Sequence, residues 1–131
     1  MRIAISLVIA GLALSACRGD ETISAFAPPE TVFALRSLDG TPAAARATIR
    51  FPRPGEVTGT GPCNAFSAAQ TAPYPWFALG PIRATRRACP ELGVEAAYFT
   101  ALKQATIAEV SGDTLILSDP GGPELVFQAD N

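Results

Sequence analysis

The residues most able to do chemistry in this chain of 131 residues are three cysteines, Cys17, Cys63 and Cys89, and there is no histidine. Without histidine, Ser-His-Asp triads, Cys-His nucleophiles and imidazole metal sites are excluded. The net charge of -2 gives no long-range attraction for phosphate backbones, so nucleic acid is not an expected partner. The cysteines are therefore the first residues to explain.

Cys17 follows an apolar run at the start of the chain. Arg2 precedes this run, which covers residues 3–14. As a helix the run would rise about 18 Å, which is short of the roughly 30 Å hydrocarbon core of a bilayer. One basic residue, a short apolar run and small residues before a cleavage point are the layout of a secretory signal peptide. We predict a signal peptide over residues 1–16.

The last three residues of the signal peptide and Cys17 read Leu-Ser-Ala-Cys, which resembles the bacterial lipobox. The resemblance implies cleavage between Ala16 and Cys17, a diacylglyceryl thioether on Cys17, and acylation of the new amine by a fatty acid such as palmitate. Each methylene buried in the bilayer contributes about 0.8 kcal/mol of binding free energy, so two or more acyl chains hold a small domain firmly on a membrane. Arg18 stands where an aspartate would mark inner-membrane retention, so the periplasmic face of the outer membrane is favoured over the inner membrane. A plain signal peptide with a coincidental cysteine is the alternative.

Residues 17–31 follow the cleavage point and contain glycine, two prolines and little apolar periodicity. This composition favours a flexible, lipid-anchored tether. Phe26 is the one aromatic residue of the segment, which does not by itself establish docking on the domain. We therefore place the folded domain at residues 32–131.

Cys63 and Cys89 remain as a pair. In an exported chain, which meets an oxidising compartment, an even pair is most simply a disulfide. Closing a loop of about 26 residues corresponds to about 3 kcal/mol in the chain-entropy model. Two buried free thiols or half of a metal site are the alternatives. A metal site would need carboxylate ligands besides the two cysteines, and no clustered Asp or Glu candidates for them appear in the sequence. No metal or cofactor is therefore predicted.

The rest of the chain shows short extended segments and one helical pattern. Twelve prolines and 11 glycines are too many for a helical bundle and favour a turn-rich, largely β domain. Apolar alternation predicts strands at 32–38, 47–51, 56–59, 76–82, 107–110, 114–118 and 124–128. Asp39-Gly40 predicts a turn. The segments 47–51 and 56–59 should pair as a hairpin, and residues 119–123 predict the loop of a second hairpin. Apolar residues at helical spacing predict an amphipathic helix over residues 90–103.

Two segments carry a family resemblance. Residues 59–66 read Gly-Thr-Gly-Pro-Cys-Asn-Ala-Phe, and residues 85–90 read Thr-Arg-Arg-Ala-Cys-Pro. They resemble the two signatures of the META domain, or heat-shock HslJ, family, and the similarity extends over residues 33–127. Pro62 departs from the usual glycine, and Phe33 stands where tryptophan is common.

The resemblance implies an α+β fold in which a curved, half-barrel-like antiparallel sheet is closed by one amphipathic helix. The bridge would join the turn after an early hairpin to the start of the helix. In that fold Asn64 would form the turn and Phe66 would fill the core.

Three residues are candidates for binding, namely Asn64, Arg86 and Trp76. Arg86 lies in the densest positive cluster of the chain and could hold an anionic group. Each candidate has a structural alternative: a turn former for Asn64, a solvated cation for Arg86 and a core ring for Trp76. We interpret Glu91 and Glu95 as a charged outer helix face. No serine or threonine has a visible general base, so no catalytic residue is predicted.

These observations favour a non-catalytic envelope lipoprotein, linked to stress, that binds an unknown envelope component through its sheet or helix edge. The alternative is a carrier of a lipid or small hydrophobic compound. A carrier would show a cavity between helix and sheet, lined by residues such as Phe51, Phe66, Trp76, Phe99 and Phe127. A tightly filled core would instead favour the binding module.

Overall fold

The computed structural model describes residues 19–130 and shows a single antiparallel sheet with one helix packed on it. The predicted signal peptide, Cys17 and the last residue lie outside the described residues. The strands are β1 (Phe33–Leu38), β2 (Thr41–Pro42), β3 (Thr48–Arg53), β4 (Gly55–Thr60), β5 (Ala65–Gln70), β6 (Arg83–Ala84), β7 (Ile107–Ser111), β8 (Thr114–Ser118) and β9 (Glu124–Ala129). The helix is α1 (Leu92–Gln104), and a short 3-10 turn spans Ile23–Ala25. No helix within residues 19–130 is long and apolar enough to cross a membrane.

The sheet runs in the order β6-β5-β4-β3-β1-β9-β8-β7, with β2 beside the end of β1, and it is not closed into a barrel. The first long strand therefore lies in the middle, between the β3–β4–β5 meander and the β7–β8–β9 meander. Register shifts interrupt the β1–β9 and β3–β4 pairings, and such bulges bend the strands that carry them. The α+β prediction of a curved sheet with one helix is confirmed.

The core lies between the concave face of the sheet and α1. Alternate residues of the central strands point into it, as period-two patterning requires. The most completely buried of these are Phe33, Ile49, Phe51, Leu125 and Phe127. From α1 the side chains of Tyr98, Ala101 and Leu102 close the core. Each large apolar side chain buried here contributes about 1.5 to 3 kcal/mol relative to exposure.

The strand predicted at residues 76–82 does not form. The segment makes only isolated bridges, Trp76 with Ile107 and Leu79 with Gln70. The two bridges go to different parts of the sheet, β7 and β5, and Pro81 has no backbone N–H donor, so the segment sustains no continuous ladder with either strand. The predicted hairpins of β3 with β4 and of β8 with β9, and the predicted helix, are confirmed.

The segment before β1 is packed on the domain from about Glu21, which differs from the expected flexible tether over residues 17–31. Ile23 and Ala27 are buried in the core. The backbone N–H of Tyr74 donates to the Glu21 carbonyl at 2.7 Å. Ile23 in the short 3-10 turn and Ala27 just after it are enough to dock this segment, but two apolar side chains are too few to produce a periodic signal in the sequence.

Candidate functional site

The first signature forms the loop between β4 and β5, and a disulfide ties this loop to the segment before α1. The Gly61 N–H donates to the Asn64 carbonyl at 2.8 Å, which closes the loop on itself. The predicted pairing of Cys63 with Cys89 is present, with the two Cα atoms 5.7 Å apart. The bridge fixes the loop against the entry to the helix.

Glu95 is the residue that organises this loop. It lies in the first turn of α1 with only 4% of its surface exposed. One carboxylate oxygen accepts the backbone N–H groups of Cys63 at 2.7 Å and Asn64 at 2.8 Å. The other oxygen accepts from Asn64 Nδ2 at 2.7 Å. Charge-assisted bonds of this kind are stronger than neutral ones, so the buried carboxylate holds the loop in place.

The interpretation of Glu95 as part of a charged outer helix face is therefore wrong. Glu91 is exposed, but Glu95 shares its helix face with Tyr98 and Leu102, which are buried. Residues three and seven positions apart lie on one side of a helix, so the spacing of 95, 98 and 102 already carried this signal.

Asn64 serves the fold, which is the structural alternative given for it above. Its side chain is 5% exposed. Its Oδ1 accepts from the Thr85 hydroxyl at 3.0 Å and from the Arg87 N–H at 2.6 Å. Its Nδ2 donates to the Arg87 carbonyl at 3.2 Å and to Glu95. An asparagine amide has two donors and two acceptor positions, so all four are engaged and none faces a ligand.

The glycines of the first signature are explained by close approach. A Cβ at Gly59 would overlap the Thr48 carbonyl oxygen, and a Cβ at Gly61 would lie 2.8 Å from the Glu95 carboxylate. The same Thr48 carbonyl accepts the Tyr98 hydroxyl at 2.9 Å. The signature loop, β3 and α1 therefore meet without room for an added methyl group.

The structure does not bring the three binding candidates into one site. Asn64 is buried under the loop, whereas Arg86 is exposed on the extended segment that leads to Cys89. In the described part of the chain, Arg86 takes part in no ion pair. Trp76 lies on a different segment, paired with Ile107 at the start of β7, and 58% of its surface is exposed. Trp76 is therefore not a core residue, contrary to the structural alternative considered for it.

Glu91 lies beside the disulfide, with its Oε2 3.1 Å from the Cys89 sulfur. The two sulfurs and this carboxylate come within 4.8 Å of one another. A metal would need thiolates, however, and both sulfurs are consumed in the bridge. The cluster therefore offers no metal site while the disulfide is intact.

Apart from Trp76, which is exposed, the aromatic side chains expected to line a carrier cavity pack in or against the core instead. Phe51, Phe66 and Phe127 are buried. The rings of Phe66 and Phe99 pack edge to face with centroids 5.2 Å apart. A filled core is what the binding-module hypothesis expects.

An apolar groove of about 330 Å³ lies elsewhere, between the β1–β2 hairpin and the N-terminal half of α1. Its walls are mainly small and apolar, and they include Leu35, Leu38, Pro42, Pro62, Val94 and Ala97. Pro62, the departure from the family signature, is thus a wall residue. No periodic pattern in the sequence predicts this groove, because the alanines at 43–45 that complete it form an irregular connection.

Comparison with known proteins agrees with this architecture. The META domain family model matches residues 25–131, and the chain belongs to the META domain family. A protein from Burkholderia xenovorans, solved by NMR, is 20% identical, with a TM-score of 0.64 over 95% of this chain and 99% of its own. A DUF4847 family protein from Bacteroides vulgatus is 18% identical, with a TM-score of 0.50 over 63% of this chain and 57% of its own. At these identities the solved structures show the fold. No match was found among curated proteins.

Proposed function

We propose that this protein is a non-catalytic envelope lipoprotein whose META domain binds another envelope component. An acylated Cys17 would hold it on the periplasmic face of the outer membrane. The signal-peptide layout and the lipobox resemblance support the anchor. The resemblance to heat-shock HslJ proteins supports a link to envelope stress.

The observation that carries the binding role is the apolar groove between the β1–β2 hairpin and α1. Its volume of about 330 Å³ lies at the lower end of the range typical of small-molecule pockets. A groove of this size fits a few apolar side chains of a partner segment. Each side chain that leaves water on binding contributes about 1.5 to 3 kcal/mol before the cost of association.

The polar network of the two signatures supports the absence of a catalytic role. Glu95 is the one buried carboxylate of residues 19–130, and both it and the buried amide of Asn64 are engaged by backbone groups. Their arrangement holds the loop and the helix together, and neither is aimed into the groove.

A carrier of a hydrophobic compound is the second candidate. It is favoured by the apolar character of the same groove, which lies between the helix and the sheet hairpin as a carrier site would. Such a ligand would rest on the outside of the core rather than within it.

Crosslinking at matched helix positions tests both candidates. A photoreactive benzoylphenylalanine replaces Ala97, which lines the groove, or Ala96, which is exposed on the same helix and does not line it. In intact cells we expect the position-97 variant alone to form an adduct with an envelope protein. An adduct with the mass of a lipid or small molecule would instead establish the carrier. Equal adducts at both positions, or none at position 97, would contradict a role for the groove.

A further inference from the structure

A second apolar surface lies away from the groove, and we call it the aromatic patch: Phe26, Tyr74 and Trp76. Phe26 and Trp76 are 52% and 58% exposed, and they are the two most exposed large hydrophobic residues in the part of the chain that the structure describes. The Phe26 ring stacks on the Tyr74 ring with centroids 4.1 Å apart. Pro73 and Pro75, which flank Tyr74, are exposed as well. Trp76 belongs to the patch by its place in the same turn, two residues after Tyr74. Exposed apolar clusters mark contact surfaces.

The turn that presents the patch is fixed by backbone hydrogen bonds. The Trp76 N–H donates to the Pro73 carbonyl at 2.8 Å. The Ala108 N–H of β7 donates to the Pro75 carbonyl at 2.8 Å. The Val110 N–H of the same strand donates to the Tyr74 hydroxyl oxygen at 3.1 Å. The patch is therefore ordered before it meets any partner, which lowers the entropy cost of binding.

The patch lies where the chain comes from the predicted anchor. Tyr74 is hydrogen-bonded to Glu21, as described above, and burial of Ile23 fixes the turn that carries Phe26. Cys17 is four positions before Glu21 in the sequence. Four residues span at most about 14 Å even when fully extended. A bilayer that holds the acyl chains of Cys17 must then lie close to this face of the domain.

We propose that the aromatic patch is a membrane-contact surface, through which Phe26 and Trp76 enter the headgroup region of the bilayer that holds Cys17. The inference rests on the proposed lipid anchor. Tryptophan and tyrosine favour the boundary between water and lipid, because their rings are apolar and their polar atoms still reach water. Contact through the patch gives the tethered domain one orientation on the membrane.

Trp76 itself provides the test, because it is the only tryptophan of the chain. The full mature protein, purified from membranes with its acyl chains, is reconstituted into phosphatidylcholine vesicles with or without brominated acyl chains. We expect a blue-shifted Trp76 emission and at least a twofold loss of intensity in the brominated vesicles. Phe26→Ser should reduce this quenching. Leu92→Ser should not, since Leu92 is 44% exposed on α1 and lies outside the patch.

Flotation of the same vesicles tests the lipid anchor separately from the membrane contact of the aromatic patch. Protein that floats with the vesicles but shows the unquenched emission of a water-exposed indole overturns the membrane contact and leaves the anchor standing. Protein that does not float overturns the anchor and the contact together. Equal quenching in the wild type and the Phe26→Ser variant would show that Phe26 is not part of the membrane contact. Urea unfolding of both serine variants checks that they are folded.

Discussion

Glu95 is the residue on which the signature loop most depends. A buried carboxylate is costly unless its lone pairs are satisfied, and here three donors from Cys63 and Asn64 satisfy them. The sequence identified Asn64 as a turn former through its Gly-rich surroundings. The sequence also contains the helical spacing that places Glu95 on the buried face of α1. Because Glu91 lies one helical turn earlier, two solvent-exposed carboxylates were the simpler interpretation.

Replacing Glu95 with glutamine should destabilise the domain. The amide would place N–H donors against groups that are themselves donors, and the charge that strengthens these bonds would be lost. We expect Glu95→Gln to lower the free energy of unfolding by about 2 to 3 kcal/mol, measured by urea denaturation. Glu91→Gln, at the exposed position one turn earlier, should change it by no more than about 0.5 kcal/mol. Equal effects of the two variants would contradict the buried role of Glu95.

Tyr98 should make stability depend on pH in the alkaline range. Complete burial raises the pKa of the Tyr98 hydroxyl well above its ordinary value near 10. Above about pH 10 the unfolded chain loses this proton while the folded chain keeps it. The unfolded state then binds fewer protons, so the free energy of unfolding falls as pH rises. Below that pH the group adds no slope.

Tyr98→Phe should remove this part of the alkaline fall. At neutral pH the variant should be less stable by about 1 kcal/mol, because the hydrogen bond to the Thr48 carbonyl is lost. Urea unfolding between pH 8 and pH 11 measures both effects. Identical pH profiles for the variant and the wild type would show that Tyr98 is not the buried titrating group.

Among the elements, the disulfide joins the β4–β5 loop to the entry of α1 across a sequence separation of 26. Cys63→Ser and Cys89→Ser should each lower the free energy of unfolding by about 3 kcal/mol, because either one opens the same loop in the unfolded chain. The double variant should be no less stable than either single variant. Additive losses, or two titratable thiols in the purified, unreduced protein, would contradict the bridge.

Strands and helices that are marked by a pattern of neighbouring residues could be predicted from the sequence. Features that depend on packing against residues far away in the sequence could not. The hairpins of β3 with β4 and β8 with β9 follow from apolar alternation around turn residues. Strand β5 has alanine at 65, 68 and 69 and lacks the β-branched residues that mark strands, so the sequence did not show it. The groove depends on how the β1–β2 hairpin packs near α1, which no local pattern encodes.

At the scale of the whole molecule, the two ends of the domain meet in the middle of the sheet. Phe33 of β1 pairs with Ala129 of β9, and the Asp130 N–H donates to the Val32 carbonyl at 2.8 Å. The segment from Glu21 to β1 is packed rather than free. The proposed anchor therefore joins the folded domain close to its aromatic patch. The signal peptide and the lipobox remain predictions from the sequence alone.

Mass spectrometry of the protein extracted from membranes shows directly whether the mature chain begins at an acylated Cys17. We expect an N-terminal peptide that starts with Cys17 and carries a diacylglyceryl thioether and an acylated amine. The Cys17→Ser variant, which lacks the thiol, should be recovered from the soluble periplasmic fraction. An unmodified Cys17, or a mature chain that starts at another residue, would contradict the anchor.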